Sequence, residues 1–259
     1  MSSRPSAGLP HTRVALVTVA DAGLGRAVAR QLAEAGMTVY AGARREEAGR
    51  KAERELRAAG LDARHVPLDL DEVATVARAA ELVERSSGRL DVLVNMVGLT
   101  SSLDRTSENA TDGFRAVFET NLLDAIHLMT VTNAMFPLLR RSGGGHIVNI
   151  ASAFHTPERN GNSTPRNAVE ALTLQYADIG RQDGVLVNAV CVDASTPAWD
   201  GFEEDGALRR AAALPVRLVL AEDPLLTATS TGPDGVCSGL SAQAQAPDGG
   251  SGAGPVHVV

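Results

Sequence analysis

Short apolar runs alternate along the chain with longer segments in which apolar residues recur every three or four positions. A continuous apolar run predicts a strand covered on both faces, and the longer periodicity predicts a helix with one buried side. Strands are predicted at residues 13–19, 37–41, 63–68, 90–95, 146–151 and 185–191, and helices at residues 23–35, 45–59, 71–85, 111–139 and 166–180.

Strands that alternate with helices of this length imply a parallel sheet with helices on both faces. Right-handed crossovers then give an α/β fold with a single doubly wound, Rossmann-like domain, which we place at residues 12–220. Residues 1–11, rich in Ser, Pro and Gly, predict a disordered N-terminus. The periodicity decays after residue 194, so residues 221–259 are predicted as an irregular segment whose last four residues suit a short strand.

Composition narrows the classes of partner. The chain has 259 residues, of which 44% are hydrophobic, and its net charge of −7 repels phosphate backbones, so we expect no nucleic-acid partner. No apolar run approaches the ~18 residues of a membrane span, and the N-terminus lacks the apolar stretch of a signal peptide. We therefore expect no membrane contact and a cytoplasmic location.

Cys191 and Cys237 form no metal-ligand cluster, so no metal site is expected.

Six short motifs stand on the predicted elements in a fixed order. They are Thr18–Gly25 after the first strand, Asp69–Leu70 after the third, Asn95–Gly98 after the fourth, Asn121 in the long helix, Ile147–Ser152 in the fifth strand and Val187–Val190 in the sixth. Together they resemble the short-chain dehydrogenase/reductase family over residues 13–196. The resemblance implies a nicotinamide-dinucleotide site with contacts from Gly23, Gly25, Asp69, Asn95 and Gly98, and catalytic roles for Ser152 and Asn121.

The family's catalytic Tyr-x-x-x-Lys motif is absent from this chain. By alignment with the following helix, Asn162 stands at the tyrosine position and Arg166 at the lysine position. Only two tyrosines and one lysine occur, and none of them forms the motif. Asparagine has no titratable proton and arginine does not deprotonate in a useful range, so the general acid of the family is lost.

The cofactor loop departs from the family as well. Val19 replaces its first glycine, at a position of positive φ that a β-branched residue adopts only with strain. Asp21 precedes the first helix and is expected to cap it, with its carboxylate near the place of a phosphate. Arg44 and Arg45 end the second strand, where they suit a 2′-phosphate better than a ribose hydroxyl. We therefore expect either no cofactor or weakly bound NADP.

The remaining polar residues still predict a substrate site. Ser152 and Asn162 are expected to donate hydrogen bonds to one substrate oxygen, with Arg166 stabilising charge there. His155 is the nearby side chain that titrates near neutrality and is a candidate for the lost acid-base role. The resemblance gives Asn121 a water-relay role.

Three functions stay open from the sequence. The first is an enzyme that uses the old pocket for a non-redox step, a cyclisation, dehydration or isomerisation of a carbonyl-bearing, polyketide-like small molecule. The second is an unorthodox NADP-dependent ketoreductase. The third is a catalytically inactive binding or subunit-partner protein. In each case the apolar stripe from Phe114 to Leu128 permits the homodimer or homotetramer that the resemblance implies.

Overall fold

The computed structural model describes residues 12–97, 110–153, 164–193, 206–221, 227, 230–232 and 235–236. The strands are β1 Val14–Val17, β2 Thr38–Ala43, β3 Ala63–Pro67, β4 Val92–Val97, β5 His146–Ala153, β6 Leu186–Asp193, β7 Ser230–Gly232 and β8 Gly235–Val236. The helices are α1 Gly23–Glu34, α2 Glu46–Ala58, α3 Val73–Ser87, α4 Ala110–Ser142, α5 Thr164–Gly180 and α6 Gly206–Leu220, and a 3₁₀ turn spans Arg181–Asp183.

The strands form one sheet in the order β3-β2-β1-β4-β5-β6-β7-β8. All neighbouring pairs are parallel except β7 and β8. The strand order reverses between β1 and β4, which opens a crevice at their carboxyl ends where doubly wound proteins bind ligands. The predicted doubly wound α/β fold is confirmed.

Helices cover both faces of the sheet. The side chains of β1 alternate between the two sides, with Val14 and Leu16 in one core cluster and Ala15 and Val17 in the other. The first cluster is closed by α3, α4 and α5, and the second by α1 and α6. Because both faces are covered, β1 is buried throughout, which is why its sequence is a continuous apolar run.

The structure contains three elements that the sequence pattern did not predict. Helix α6 follows residue 194, where the periodicity was expected to end, and Pro215 lies in its interior. A proline inside a helix normally ends it, which hides the signal of the buried positions Leu208, Ala212, Val216 and Val219. Strands β7 and β8 lie in the segment predicted as irregular, and they are too short to show an alternation of their own. The boundaries of the predicted domain stay a prediction.

Helix α4 changes one expectation about membranes. Its segment Leu122–Ser142 is long and apolar enough to cross a membrane by length and composition, although no such run was predicted. One third of that stretch is buried in the domain, and Leu128, Met135 and Leu139 belong to the core. Packing in the core therefore accounts for the buried part of this apolar stretch.

Candidate functional site

The crevice between β1 and β4 is fixed by Thr18, the first residue after β1. Its backbone N–H donates to the carbonyl of Val94 at 3.0 Å, and its hydroxyl oxygen accepts the N–H of Met96 at 2.8 Å. Thr18 is fully buried. These two bonds tie the end of β1 to β4, so the loop that leads into α1 starts from a rigid point.

Val19 has the backbone conformation of the glycine that it replaces. Its φ is 49°, and it is the only residue other than glycine with a positive φ in the described part of the chain. Its side chain is 41% exposed. A Cβ added at Gly25 would lie 2.1 Å from the Val19 carbonyl oxygen, so the loop and α1 pack too closely for any other residue there. Val19 therefore has a backbone conformation that favours glycine, and it carries an exposed isopropyl group there.

The prediction that Asp21 caps α1 is wrong. The helix begins at Gly23, whose φ is 53°, and the N-cap residue is Ala22, without a side-chain hydrogen bond to the first turn. Asp21 therefore stands one residue before the capping position. The left-handed turn at Gly23 decides this register, and the presence of a capping residue type alone does not reveal it.

The residues predicted to face the adenosine end of a dinucleotide lie after β2 and β3. Asp69 is half-buried, and its Oδ1 accepts the backbone N–H of Asp71 at 3.1 Å. The Thr75 hydroxyl oxygen lies 2.9 Å from the Asp69 nitrogen and 2.6 Å from its carbonyl oxygen. Arg44 is exposed directly after β2, with no ion pair to any described residue. An ordered carboxylate and a solvent-facing guanidinium thus flank this end of the crevice.

Asn95 belongs to a buried chain of side-chain amides and hydroxyls, and its predicted cofactor contact stays a prediction. Its side chain is buried, and its Nδ2 donates to Asn149 Oδ1 at 2.9 Å and to Thr132 Oγ1 at 3.2 Å. Asn149 Nδ2 in turn donates to the Thr173 hydroxyl at 2.9 Å. This amide chain joins β4 to β5, α4 and α5. Asn95 Oδ1 has no hydrogen-bond partner among the described residues.

Three of the predicted catalytic residues lie on described elements, namely β5, α5 and α4. Ser152 is next to last in β5, in register with Val192, and Arg166 is the third residue of α5. Asn121 lies in α4. Helix α5 packs against both β5 and α4. That Ser152, Arg166 and Asn121 share one site stays a prediction. Asn162, His155 and Gly98 lie outside the described residues, and their predicted roles stay predictions.

Both tyrosines of the chain have hydroxyl groups that are engaged away from the crevice. Tyr40 is fully buried in β2, with its hydroxyl 2.8 Å from Ser87 Oγ. Tyr176 donates its hydroxyl to Asn133 Oδ1 at 2.8 Å between α5 and α4, and burial raises its pKa. The single lysine, Lys51, lies on α2. Both hydroxyls therefore bridge packed elements, Tyr40 between β2 and α3 and Tyr176 between α5 and α4.

The sequence analysis missed several polar residues of this region. Asn149 and Thr173 complete the buried amide chain, and His127 contacts Asp71 through Nε2 and Oδ1 at 3.1 Å. A signal existed for Asn149, because an asparagine inside the apolar run of β5 must find a buried partner. No such signal existed for His127, whose partner is far away along the chain.

Known proteins are similar to this chain in sequence and in fold. The family model described as short chain dehydrogenase matches residues 13–200. The uncharacterized oxidoreductase YxjF of Bacillus subtilis is 34% identical over 69% of this chain and 69% of its own length. A putative ketoacyl reductase of Streptomyces coelicolor is 37% identical over 70% of this chain and 69% of its own. The crystal structure of a gluconate 5-dehydrogenase from Burkholderia cenocepacia, in complex with NADP and tartrate, is 23% identical, covers 85% of this chain and 92% of its own, and superimposes with a TM-score of 0.67.

Proposed function

The chain belongs to the short-chain dehydrogenase family of oxidoreductases, and on that premise we propose that it acts on a carbonyl-bearing, polyketide-like small molecule by a non-redox step. The observation that carries the proposal is the absence of a proton donor of the family's kind. The sequence has no Tyr-x-x-x-Lys, and the hydroxyls of Tyr40 and Tyr176 are bound elsewhere. Loss of a positioned general acid costs roughly 10²–10⁴-fold in rate, so ordinary hydride chemistry is disfavoured.

The residues at the carboxyl edge of β5 suit stabilisation of a substrate oxygen. Ser152 and Asn162 both carry hydrogen-bond donors, and Arg166 supplies positive charge near the start of α5. Such preorganised donors contribute about 2.7–4 kcal/mol each in comparable oxyanion sites. His155 is proposed to move the proton, because neither a hydroxyl nor an amide does so near neutral pH. Asn121 is proposed to order the α4 side of the pocket.

The residues of the cofactor site fit only one half of a dinucleotide. Asp69 suits the adenosine and Arg44 suits a 2′-phosphate, so NADP is the dinucleotide that the site favours. The exposed isopropyl group of Val19 lies in the loop that would approach the diphosphate. The diphosphate half of the site therefore fits the cofactor poorly. We propose that NADP is absent or weakly bound, with a dissociation constant above the micromolar range, and we route no step of the reaction through it.

A second candidate is an unorthodox NADP-dependent ketoreductase. It is favoured by the similarity to a putative ketoacyl reductase and by Val19, which keeps the backbone shape of a dinucleotide loop. The third reading, an inactive partner protein, is favoured by exposed apolar side chains on α4, such as Leu122 and Ile126.

One assay separates the three candidates. Purified protein is incubated with a panel of β-keto and diketide thioesters, with and without NADPH, while NADPH absorbance and product masses are followed. Conversion without NADPH consumption supports the non-redox enzyme, NADPH consumption supports the reductase, and no conversion supports the partner protein. If conversion occurs, Ser152→Ala should slow it at least about tenfold, and Ser86→Ala, at an exposed serine of α3, should leave it unchanged.

A further inference from the structure

A narrow cleft lies between α4 and the ends of β1 and β4, beside the loop that follows β3. With its open mouth it encloses about 230 Å³, and its walls include Leu70, Asn95, His127 and Leu128. The unpartnered Oδ1 of Asn95 is a strong hydrogen-bond acceptor at this wall. The cleft therefore combines apolar surface with polar groups next to the adenosine end of the crevice.

The side chain of His127 connects α4 to the loop that follows β3. Its Nε2 lies 3.1 Å from Asp71 Oδ1, and its side chain is only 19% exposed. The backbone N–H of Asp71 donates to Asp69 Oδ1, also at 3.1 Å. An unbroken series of polar contacts thus runs from the helix through Asp71 to the carboxylate of Asp69.

We propose that His127 is a positioning residue for Asp69, holding the loop after β3 in the conformation that contacts the adenosine of a dinucleotide. The inference rests on the proposed function, in which this end of the crevice is the half that still fits NADP. The side chain of Asp71 is 64% exposed, so without an anchor it is free to turn toward solvent. The loop would then lose the N–H that orients one oxygen of Asp69, while the Thr75 contacts to the Asp69 backbone would remain.

The test uses the full chain and two substitutions at one position. His127→Leu keeps much of the buried volume and removes the donor, whereas His127→Gln keeps a donor at similar reach. Binding of adenosine 2′,5′-bisphosphate, which lacks the diphosphate that Val19 obstructs, is measured by calorimetry. The leucine variant should bind at least about fivefold more weakly, and the glutamine variant should stay within about twofold of the wild type.

A measurement without ligand separates this proposal from the proposed function. Amide hydrogen exchange at Asp71 should be at least about tenfold faster in His127→Leu than in the wild type, and unchanged in His127→Gln. If the wild type binds no adenosine ligand, the proposed cofactor half-site fails, and the exchange rates alone decide whether His127 holds the loop. Equal exchange in all three proteins, or equal losses in both variants, would overturn the positioning role.

Discussion

Val19 is a β-branched residue held at φ 49°, in the left-handed region that costs roughly 1–2 kcal/mol for a residue with a Cβ. Its backbone stays there because Gly25 packs against the Val19 carbonyl and Ala20 donates its N–H to Gly42 at 2.7 Å. The strain is imposed by the loop, and the neighbouring contacts hold it in place.

Val19→Gly should relieve this strain and open the loop to a diphosphate. We expect stability to rise by up to about 1 kcal/mol, since glycine offsets part of the gain through its unfolded-state entropy. NADPH should bind at least about tenfold more tightly. Urea unfolding and calorimetry measure the two effects. Val73→Gly, at an exposed helical valine, is the control and should lose about 0.5–1 kcal/mol. An equal loss in both variants would contradict the strain at position 19.

A second prediction at the residue scale concerns the pH dependence of stability. It rests on His146, the first residue of β5, at the amino-terminal edge of the sheet. Burial, with a smaller contribution from nearby Arg13, lowers the pKa of His146 from 6.5 to about 4. The unfolded chain therefore takes up this proton more readily than the folded protein, so stability falls as the pH drops from 6.5 toward 4. The loss from this group reaches up to about 3 kcal/mol. Urea unfolding between pH 7.5 and pH 4.5 should show a shallower decline for His146→Gln, and identical slopes would refute the assignment.

At the scale of elements, the buried amide chain links α5 to β5 of the sheet. Thr173 accepts from Asn149 Nδ2 at 2.9 Å and donates to the Val169 carbonyl at 2.7 Å, and both Thr173 and Asn149 are fully buried. The same helix begins two residues before Arg166. A defect in this chain would therefore disturb the candidate catalytic region as well as the core.

Thr173→Val keeps the side-chain shape but leaves Asn149 Nδ2 buried without an acceptor. An unsatisfied buried donor costs about 1–3 kcal/mol, and we expect that loss in urea unfolding. Thr130→Val is a matched control, because the Thr130 hydroxyl donates to the Ile126 carbonyl of its own helix at a half-buried position. The control should change stability by less than about 0.5 kcal/mol. Similar losses in both variants would show that the amide chain is not the cause.

At the scale of the whole molecule, α4 exposes a row of apolar side chains. Leu122, Leu123, Ile126 and Met129 are each 40–52% exposed, and they recur at helical spacing. A contiguous apolar face of this kind is typical of an interface between subunits. It coincides with part of the stripe that the sequence analysis connected with a homodimer or homotetramer.

Ile126→Glu should dissociate that assembly into monomers of 26.9 kDa, because a charge at the centre of an apolar interface is buried without a partner. Sedimentation velocity measures the mass of both proteins. Val73→Glu adds the same charge at another exposed apolar residue, on α3, and should leave the assembly intact. A wild type that is already monomeric, or dissociation of both variants, would contradict an interface on α4.

The sequence by itself determined the layered fold and the family, because apolar runs and short motifs are local patterns that need no partner to be seen. It also shows directly that the chain contains no Tyr-x-x-x-Lys motif. Val19 at positive φ could be predicted for the same reason, because the motif fixes the backbone that each of its positions requires. Helix α6 was not predicted, because Pro215 in its interior obscures the helical periodicity of its apolar residues.

Contacts between distant residues were decided by the tertiary structure alone. The partners of Tyr40 and Tyr176 lie 47 and 43 positions away, and the bond from Asn95 to Asn149 spans 54 positions. A residue's type tells which bonds it is able to make, but its neighbours depend on how the strands order and the helices pack. The same physical reason explains why Asp21 is not a cap, since the backbone register at the start of α1 decides which residue occupies the capping position.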